Sequence, residues 1–384
     1  MPESAMDQLA RHRIREVKTR RLRTRWPRLL GRNARLEEHG YGREFLVREI
    51  VTDQGVVGWG LSRRLPPQRT PVVEGRLVSE LFDPAIGVID PAAMPLDFAL
   101  HDLAGAILCQ PVYRMLGGQG PTELAVYDAS TYMDDITPAY ESRGVQAVLD
   151  HCRQDWDLGH RGFKVKIGRG CRWMEARAGL RRDIEVTRAV REAFPDCLLM
   201  VDANDGYDCR GFLEYFRQVA DCRLFTLEEP FRENREDLCR LREEIARLAP
   251  QTTVTDGEAR PDIEMLLALG REGLIEILNV DIESLGLTGW RALAPRALEC
   301  GLRLSPHTFD LKVKTHYAAH LVAGVGGAAP VEGVIDETEG VEFDAYRLVD
   351  GALAVPDRAG FGMRLIWGRC YNRDGLDDSG YPMA

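Results

Sequence analysis

The sequence predicts an α/β protein, a barrel of parallel strands and returning helices behind an N-terminal α+β domain. Three stretches carry that expectation. Leu198-Leu199-Met200-Val201 is an unbroken apolar run, the pattern of a strand buried on both faces, and it ends in Asp202-Ala203-Asn204. Leu224-Phe225-Thr226-Leu227 ends in Glu228-Glu229-Pro230, and Thr252-Thr253-Val254-Thr255 ends in Asp256-Gly257-Glu258. Each follows the last by roughly 30 residues, what one strand-plus-helix unit occupies. One acid after a strand is ordinary helix capping. Three at the same end of successive strands make a set of hard oxygen ligands for a divalent cation.

Taken in order, the opening third has a different grammar. After a polar start, Ile14 to Leu22 alternates loosely, as a solvated strand does. Trp26 to Asn33 is turn-rich and basic. Phe45 to Thr52 and Val56 to Gly60 form a hairpin about Asp53-Gln54-Gly55. Residues 72–116 read as helices, among them Pro95 to Ile107 and Pro111 to Leu116, closed by Gly117-Gly118. Beyond residue 123 strands are expected at 124–128, 163–167, 198–202, 224–228, 252–256, 275–281, 302–305 and 330–334. Helices fall between them, including Trp173 to Phe194, Arg235 to Leu248, Pro261 to Leu269 and Trp290 to Cys300. This is a modified (β/α)7β barrel of the TIM type, whose sites lie at the C-terminal strand ends. The expected domains are 1–122 (α+β), 123–349 (barrel) and 350–384, a Gly- and Pro-containing segment packing back on the first domain.

Composition narrows the function. The 384 residues are 45% hydrophobic and 29% charged, as in ordinary soluble proteins. A net charge of −10 excludes general nucleic-acid binding, which needs a basic face. Nine cysteines lie singly with no C-x-x-C pair, arguing against a disulfide framework or zinc site and for a reduced, cytoplasmic setting. No apolar run reaches the about 18 residues of a membrane span.

The other polar strand ends supply candidate chemistry. In Phe163-Lys164-Val165-Lys166-Ile167, alternation sends both lysines to one side. A solvated edge strand would do the same, but this strand lies between two helical segments and belongs inside. Neighbouring ammonium groups lower each other's pKa, so one can serve as a base near neutrality. Glu229 and Asp256 are fallback ligands, because the pleat turns them away from Asp202, Glu228 and Glu258. Ser305-Pro306-His307 places a histidine at another strand end; alone it would be a cap or core residue, but beside lysines and acids it reads as catalytic. His316 and His320 have the spacing of a metal pair but lie on an Ala-rich helix with no glutamate between them, and read as packing or surface residues. Glu332 hydrogen-bonds a substrate oxygen or closes a turn.

These residues resemble the enolase superfamily, and within it the mandelate racemase/muconate lactonizing enzyme-like proteins, on the mandelate racemase-like branch. The likeness covers nearly the whole chain. It takes in His101-Asp102-Leu103-Ala104-Gly105, Gln110 to Gly118, the lysine pair, Val201 to Asn204, Glu228-Glu229-Pro230, Gly257-Glu258, Leu287-Thr288-Gly289-Trp290 and Ser305-Pro306-His307. The resemblance implies Mg²⁺ held by Asp202, Glu228 and Glu258. It implies Lys166 as the base on one substrate face, Lys164 on the substrate carboxylate and His307 as acid or base on the other face. Asn204 would touch substrate or ligand shell, and Glu332 would bond the developing enolate. The first domain would cap the barrel mouth, residues between Leu22 and Tyr41 selecting the substrate, with Arg32 and Asn33 as contacts. A homo-oligomer is implied as well.

One position departs from that pattern. The aspartate that orients the histidine falls on Val280, with Asp281 next to it, and Leu285 replaces the first glycine before Gly286. The lysine of muconate lactonizing relatives is absent too. Either a local bulge lets Asp281 serve, or the dyad is missing; the expectation here is that Asp281 takes part.

The expected activity is abstraction of the proton α to a carboxylate. Dehydration of an acid sugar to a 2-keto-3-deoxy acid is favoured, because Arg32, Asn33, Arg35, Glu37, His39 and Tyr41 make a polar lid. Racemisation or epimerisation is the alternative, and a non-catalytic ligand-binding relative the rival from another class.

Overall fold

The computed structural model describes residues 3–62 and 72–366. The N-terminal domain is built on β1 (Ile14–Leu30), β2 (Gly40–Thr52) and β3 (Val57–Leu61), a consecutive antiparallel sheet. The helix α1 (Asp97–Ile107) packs on β3. The sequence marks Trp26 to Asn33 as turn, yet β1 runs on to Leu30 through Pro27. The pairing explains why. Arg25 faces Gly42 and the next partner pair is Leu30 with Gly40, so Pro27 lies in an irregular stretch where its missing N–H costs no ladder bond.

The barrel follows as β4 (Glu123–Thr131), α2 (Val145–Asp157), β5 (Gly162–Lys166), α3 (Ala176–Ala193), β6 (Leu198–Asp202), α4 (Cys209–Val219), β7 (Thr226–Glu228) and α5 (Arg235–Leu248). It continues as β8 (Thr253–Asp256), α6 (Ile263–Arg271), β9 (Ile277–Leu278), α7 (Ile282–Glu299), β10 (Arg303–Leu304), α8 (Lys312–Val325) and β11 (Val331–Gly333). Neighbouring strands from β4 to β10 pair in parallel, β11 pairs in parallel with β4, and a bridge from Leu304 to Ala328 closes the ring. Seven helices for eight strands is the (β/α)7β arrangement that the apolar runs predict.

The helices start where their caps are. Side-chain oxygens of Asp208, Asn234 and Asp262 accept from the first-turn N–H groups of α4, α5 and α6. On α5, Leu238, Leu241 and Ile245 share the face turned to the barrel. They join one large apolar layer with Val165, Leu199, Val201, Leu227 and Val254 of the strands. Each such side chain contributes about 1.5–3 kcal/mol when fully buried. Inside the ring a smaller cluster, Tyr127, Ala129 and Met200, floors the mouth.

α7 begins eight residues before the expected Trp290, with Asp281 as its cap, and breaks at Gly286 (φ 70°, ψ 171°). Thr288, beyond the break, donates its hydroxyl to Asp97 of α1 at 2.6 Å, while its N–H reaches the other oxygen at 3.1 Å. The Leu-Thr-Gly-Trp motif is thus a joint between domains. The chain after β11 returns to both domains. Thr338 pairs with Thr24 of β1, Ala352–Ala354 pairs with the start of β4, and Phe361 donates its N–H to Asp102 of α1. Residues 367–384 of the expected C-terminal segment lie outside the described residues.

Candidate active site

Going round the barrel mouth, each strand from β5 to β11 delivers one polar side chain: Lys166, Asp202, Glu228, Glu258, Asp281, His307 and Glu332. Register does much of this. Lys166 is the partner of Asp202 on the next strand, and Asp202 the partner of Glu228, so the three side chains leave the sheet on the same face. β8 ends at Asp256, and Gly257 (φ 125°) then turns the chain so that Glu258 enters the site. A side chain at 257 would strain that turn. Oxygens of Asp202, Glu228 and Glu258 lie within 4.8 Å of one another. Glu229 accepts from the Ala259 N–H at 2.8 Å and lies outside that group, as does Asp256.

The triad suits magnesium. All three donors are carboxylate oxygens, and among the described residues Glu258 Oε2 and Asn204 Oδ1, both on the wall of the same cavity, are buried without a hydrogen-bond partner. Asn204 takes a left-handed turn (φ 44°) and donates its backbone N–H to Asp202 Oδ1 at 2.8 Å, fixing the carboxylate.

Both lysines point inward. Lys164 Nζ is 2.6 Å from Glu228, 2.9 Å from Glu332 and 3.6 Å from Asp202, and Lys166 Nζ donates to Asp202. Sequence reasoning has mutual repulsion lowering one lysine. The structure gives the reverse: burial disfavours each ammonium, but the surrounding carboxylates outweigh both burial and repulsion, and the two pKa values are raised. Burial, with Asp202, Glu332 and Glu258 nearby, lifts Glu228 to about 8 despite Lys164.

His307 has the partner whose presence was in question. Its Nδ1 lies 3.1 Å from Asp281 Oδ2, while Asp281 Oδ1 caps α7 by accepting from the Ser284 N–H at 2.6 Å. No bulge is needed: Asp281 bridges His307 in the same register in which Ile277 pairs with Arg303 and Leu278 with Leu304, and the His307 N–H is shared between the carbonyls of Asn279 (3.2 Å) and Val280 (3.3 Å). Val280 is buried in the apolar layer. His307 Nε2 faces Glu258 at 3.4 Å and Glu332 at 4.0 Å. Burial acts against the imidazolium, but Glu258, Glu332 and Asp281 prevail and raise it to about 9. Glu332 in turn accepts from the Thr308 N–H at 2.6 Å, and Lys164 and His307 overcome its burial to hold its pKa low.

The mouth opens into a cavity of about 680 Å³ lined by Asn33, Arg35, Asn204, Arg232, Glu258 and Arg260 among others. Asn33 also accepts from the N–H groups of Arg35 and Leu36, shaping the loop. Arg32 is placed elsewhere: it stacks on Trp173 (4.6 Å), donates to the Ile136 carbonyl at 3.3 Å and lies near Glu37 and Glu38. It is not among the cavity's lining residues. The first strand contributes a residue the sequence reading passes over. Tyr132 is buried just past β4, with Lys166 Nζ 5.7 Å from its ring centre and His39 of the N-terminal domain 4.5 Å above it. The signal was its place after the first strand, which was read as ending at 128.

With the geometry in view, comparison with known proteins places the chain. A family described as enolase C-terminal domain-like matches residues 147–368, more than half the chain, and the protein belongs to that family as an enzyme of the enolase superfamily. It is similar to galacturonate dehydratase from a Geobacillus species, solved with D-galacturonate and 5-keto-4-deoxy-D-galacturonate: 28% identity, TM-score 0.86, 93% of this chain and 95% of that one. A mutant of that enzyme was solved with magnesium. Among curated proteins it is 25% identical over 375 residues to D-galactarolactone cycloisomerase of Agrobacterium fabrum, covering 88% of this chain and 92% of that protein. It is 26% identical over 259 residues to a hydrophobic dipeptide epimerase of Enterococcus faecalis, covering 62% and 66%. Magnesium is the cofactor of this superfamily.

Proposed function

We propose that this chain is a lyase that removes the proton α to the carboxylate of an acid sugar and expels the β-hydroxyl, giving a 2-keto-3-deoxy acid. Asp202, Glu228 and Glu258 would hold Mg²⁺. Bound there, magnesium supplies positive charge against the substrate carboxylate and competes with the two ammonium groups for the carboxylate oxygens. Lys164 adds its charge where negative charge builds on the substrate carboxylate, an interaction that grows toward the transition state. Lys166, an ammonium while it pairs with Asp202, would first shed its own proton once that carboxylate is drawn to the metal, and then takes the proton from Cα. The Cβ–oxygen bond then breaks, the hydroxyl leaves as water with the proton of His307 Nε2, and the enol product tautomerises to the ketone. Glu332 holds Lys164 and the loop after His307 in place.

The observation carrying this reading is the place of His307, its Nδ1 3.1 Å from Asp281 Oδ2 and its Nε2 facing the mouth, where an acid is needed to expel hydroxide. The polar cavity lining and the likeness to galacturonate dehydratase support a sugar substrate. Epimerisation is the second reading, favoured by the dipeptide epimerase relative. It uses the same lysine and histidine but returns a proton to Cα.

The experiment is incubation with mono- and diacid sugars and Mg²⁺ in D₂O, followed by proton NMR. Keto-acid formation supports dehydration, while deuterium at Cα with inverted configuration and no keto acid supports the second reading. Both signals vanish in Lys166→Ala. No turnover or exchange across the library leaves a binding protein.

A further inference from the structure

Among the described residues no eighth helix follows β11, and what covers the outer face of β11 and β4 leaves a second cavity. After β11 the chain folds across that face as residues 341–354, and α8 flanks it. The space between is about 120 Å³, walled by Val126, Val334, Phe343, Leu348 and Leu353. It belongs to the side of the barrel and shares no lining residue with the mouth.

Three ring nitrogens on its wall have no partner among the described residues. His316 of α8 is buried against Tyr346 (centroids 3.8 Å apart, nearly stacked), and neither Nδ1 nor Nε2 makes a hydrogen bond. His160 is buried as well, and its Nδ1 is unmatched. Polar atoms so placed are normally satisfied by an occupant. Burial, reinforced by the charge of Lys312, keeps both imidazoles neutral, so His316 offers one donor and one acceptor. Lys312 also lines the cavity, giving one bond to the Asp336 carbonyl at 3.0 Å and keeping two ammonium hydrogens in hand. His160 feels the positive charges of Lys312, Arg28 and Arg161 against that of Asp155. Asp336, the carboxylate nearest Lys312, is engaged by the Lys312 N–H at 2.7 Å and the Thr338 hydroxyl at 3.1 Å.

We infer that this cavity is a binding site for a small monocarboxylate with a compact apolar body, its carboxylate on Lys312 and the His316 N–H, its body among the aliphatic walls and Phe343. The volume falls below the roughly 150 Å³ of an apolar protein cavity that admits benzene, so the smaller propionate and isobutyrate are suitable probes. The inference does not depend on the reaction at the barrel mouth.

The test is titration of each probe into ¹⁵N-histidine-labelled full-length protein, reading the ring nitrogens of His316, His160 and His307. The expected result is a saturable shift at His316 and His160 with a Kd of about 1 mM or tighter, weakened at least tenfold with propionamide or isobutyramide and lost in Lys312→Met. His316→Leu, which removes the unmatched nitrogens, also loses binding and remains folded by circular dichroism. Three results overturn the inference: shifts at His307 alone, which place the probe in the barrel mouth; equal binding of acid and amide; and no shift at all, which leaves a cavity holding only water.

Discussion

Asp281 holds His307 from a position one residue beyond the one the family pattern uses. The 3.1 Å contact from Nδ1 to Oδ2 is possible because Asp281 bridges His307 in unbroken strand register while Val280 turns into the apolar layer. The same carboxylate caps α7, so dyad and helix start share one side chain.

Asp281→Asn therefore removes a charge from His307 while keeping a cap for α7. We predict kcat falling by about 10- to 100-fold, within the range general acid catalysis contributes, and an alkaline limb of the pH–rate profile moving to lower pH. The stability linkage has a definite sign. His307 is raised to about 9 from the ordinary 6.5, so its contribution is full below about pH 6.5 and is lost as pH rises through 9. Urea midpoints between pH 6 and 10 in wild type and variant measure it.

Metal removal should abolish activity without unfolding the chain. Lys164 and Lys166 are ion-paired within the protein to Glu228, Glu332 and Asp202, so the carboxylates keep counter-charges. We expect turnover to vanish with EDTA and return with Mg²⁺. The thermal midpoint should rise with added Mg²⁺, reflecting about 2.7 kcal/mol at a hundredfold excess over Kd. Glu258→Gln should lose that Mg²⁺-dependent rise.

Arg169 underpins Lys166. It is fully buried, salt-bridged to Asp135 and Asp183 (2.6 Å to the latter), and donates to the Lys166 carbonyl at 3.1 Å. Arg169→Met leaves buried Asp183 with no cationic partner and Asp135 with Arg182 alone, and a loss of about 3–5 kcal/mol in guanidinium unfolding is expected. A loss below about 1 kcal/mol would contradict this account.

Thr288→Val breaks the bond to Asp97 and the one that Thr288 Oγ1 accepts from the Val88 N–H at 2.9 Å. The expected cost is about 1–3 kcal/mol, measured by urea unfolding. Because Thr288 touches no mouth residue, kcat should be preserved at low temperature.

The parts of the molecule legible in the sequence are those set by local periodicity. Alternation about Val165 places both lysines inward, and apolar runs ending in acids place Asp202, Glu228 and Glu258. What escaped depends on distant partners. Nothing around Arg32 announces Trp173, which draws its guanidinium away from the cavity. Pro27 in a strand is legible only once β2 supplies the register. Tyr132 was hidden because β4 runs on to Thr131 through an irregularity after Asp128. The raised lysine pKa values follow from a crowd of carboxylates that no local window contains.

The lacing of the N-terminal domain to the returning chain limits how this molecule can breathe. Asp102 takes one N–H from Trp59 of β3 and another from Phe361 past the barrel, and Thr24 pairs with Thr338, so the sheet is stitched down from two directions. A hinged swing of the whole lid would have to rip those seams. Traffic into the mouth then passes the short loop between β1 and β2, whose Asn33, Arg35 and Leu36 face Arg232 and Arg260 across the cavity, making its few residues a sieve.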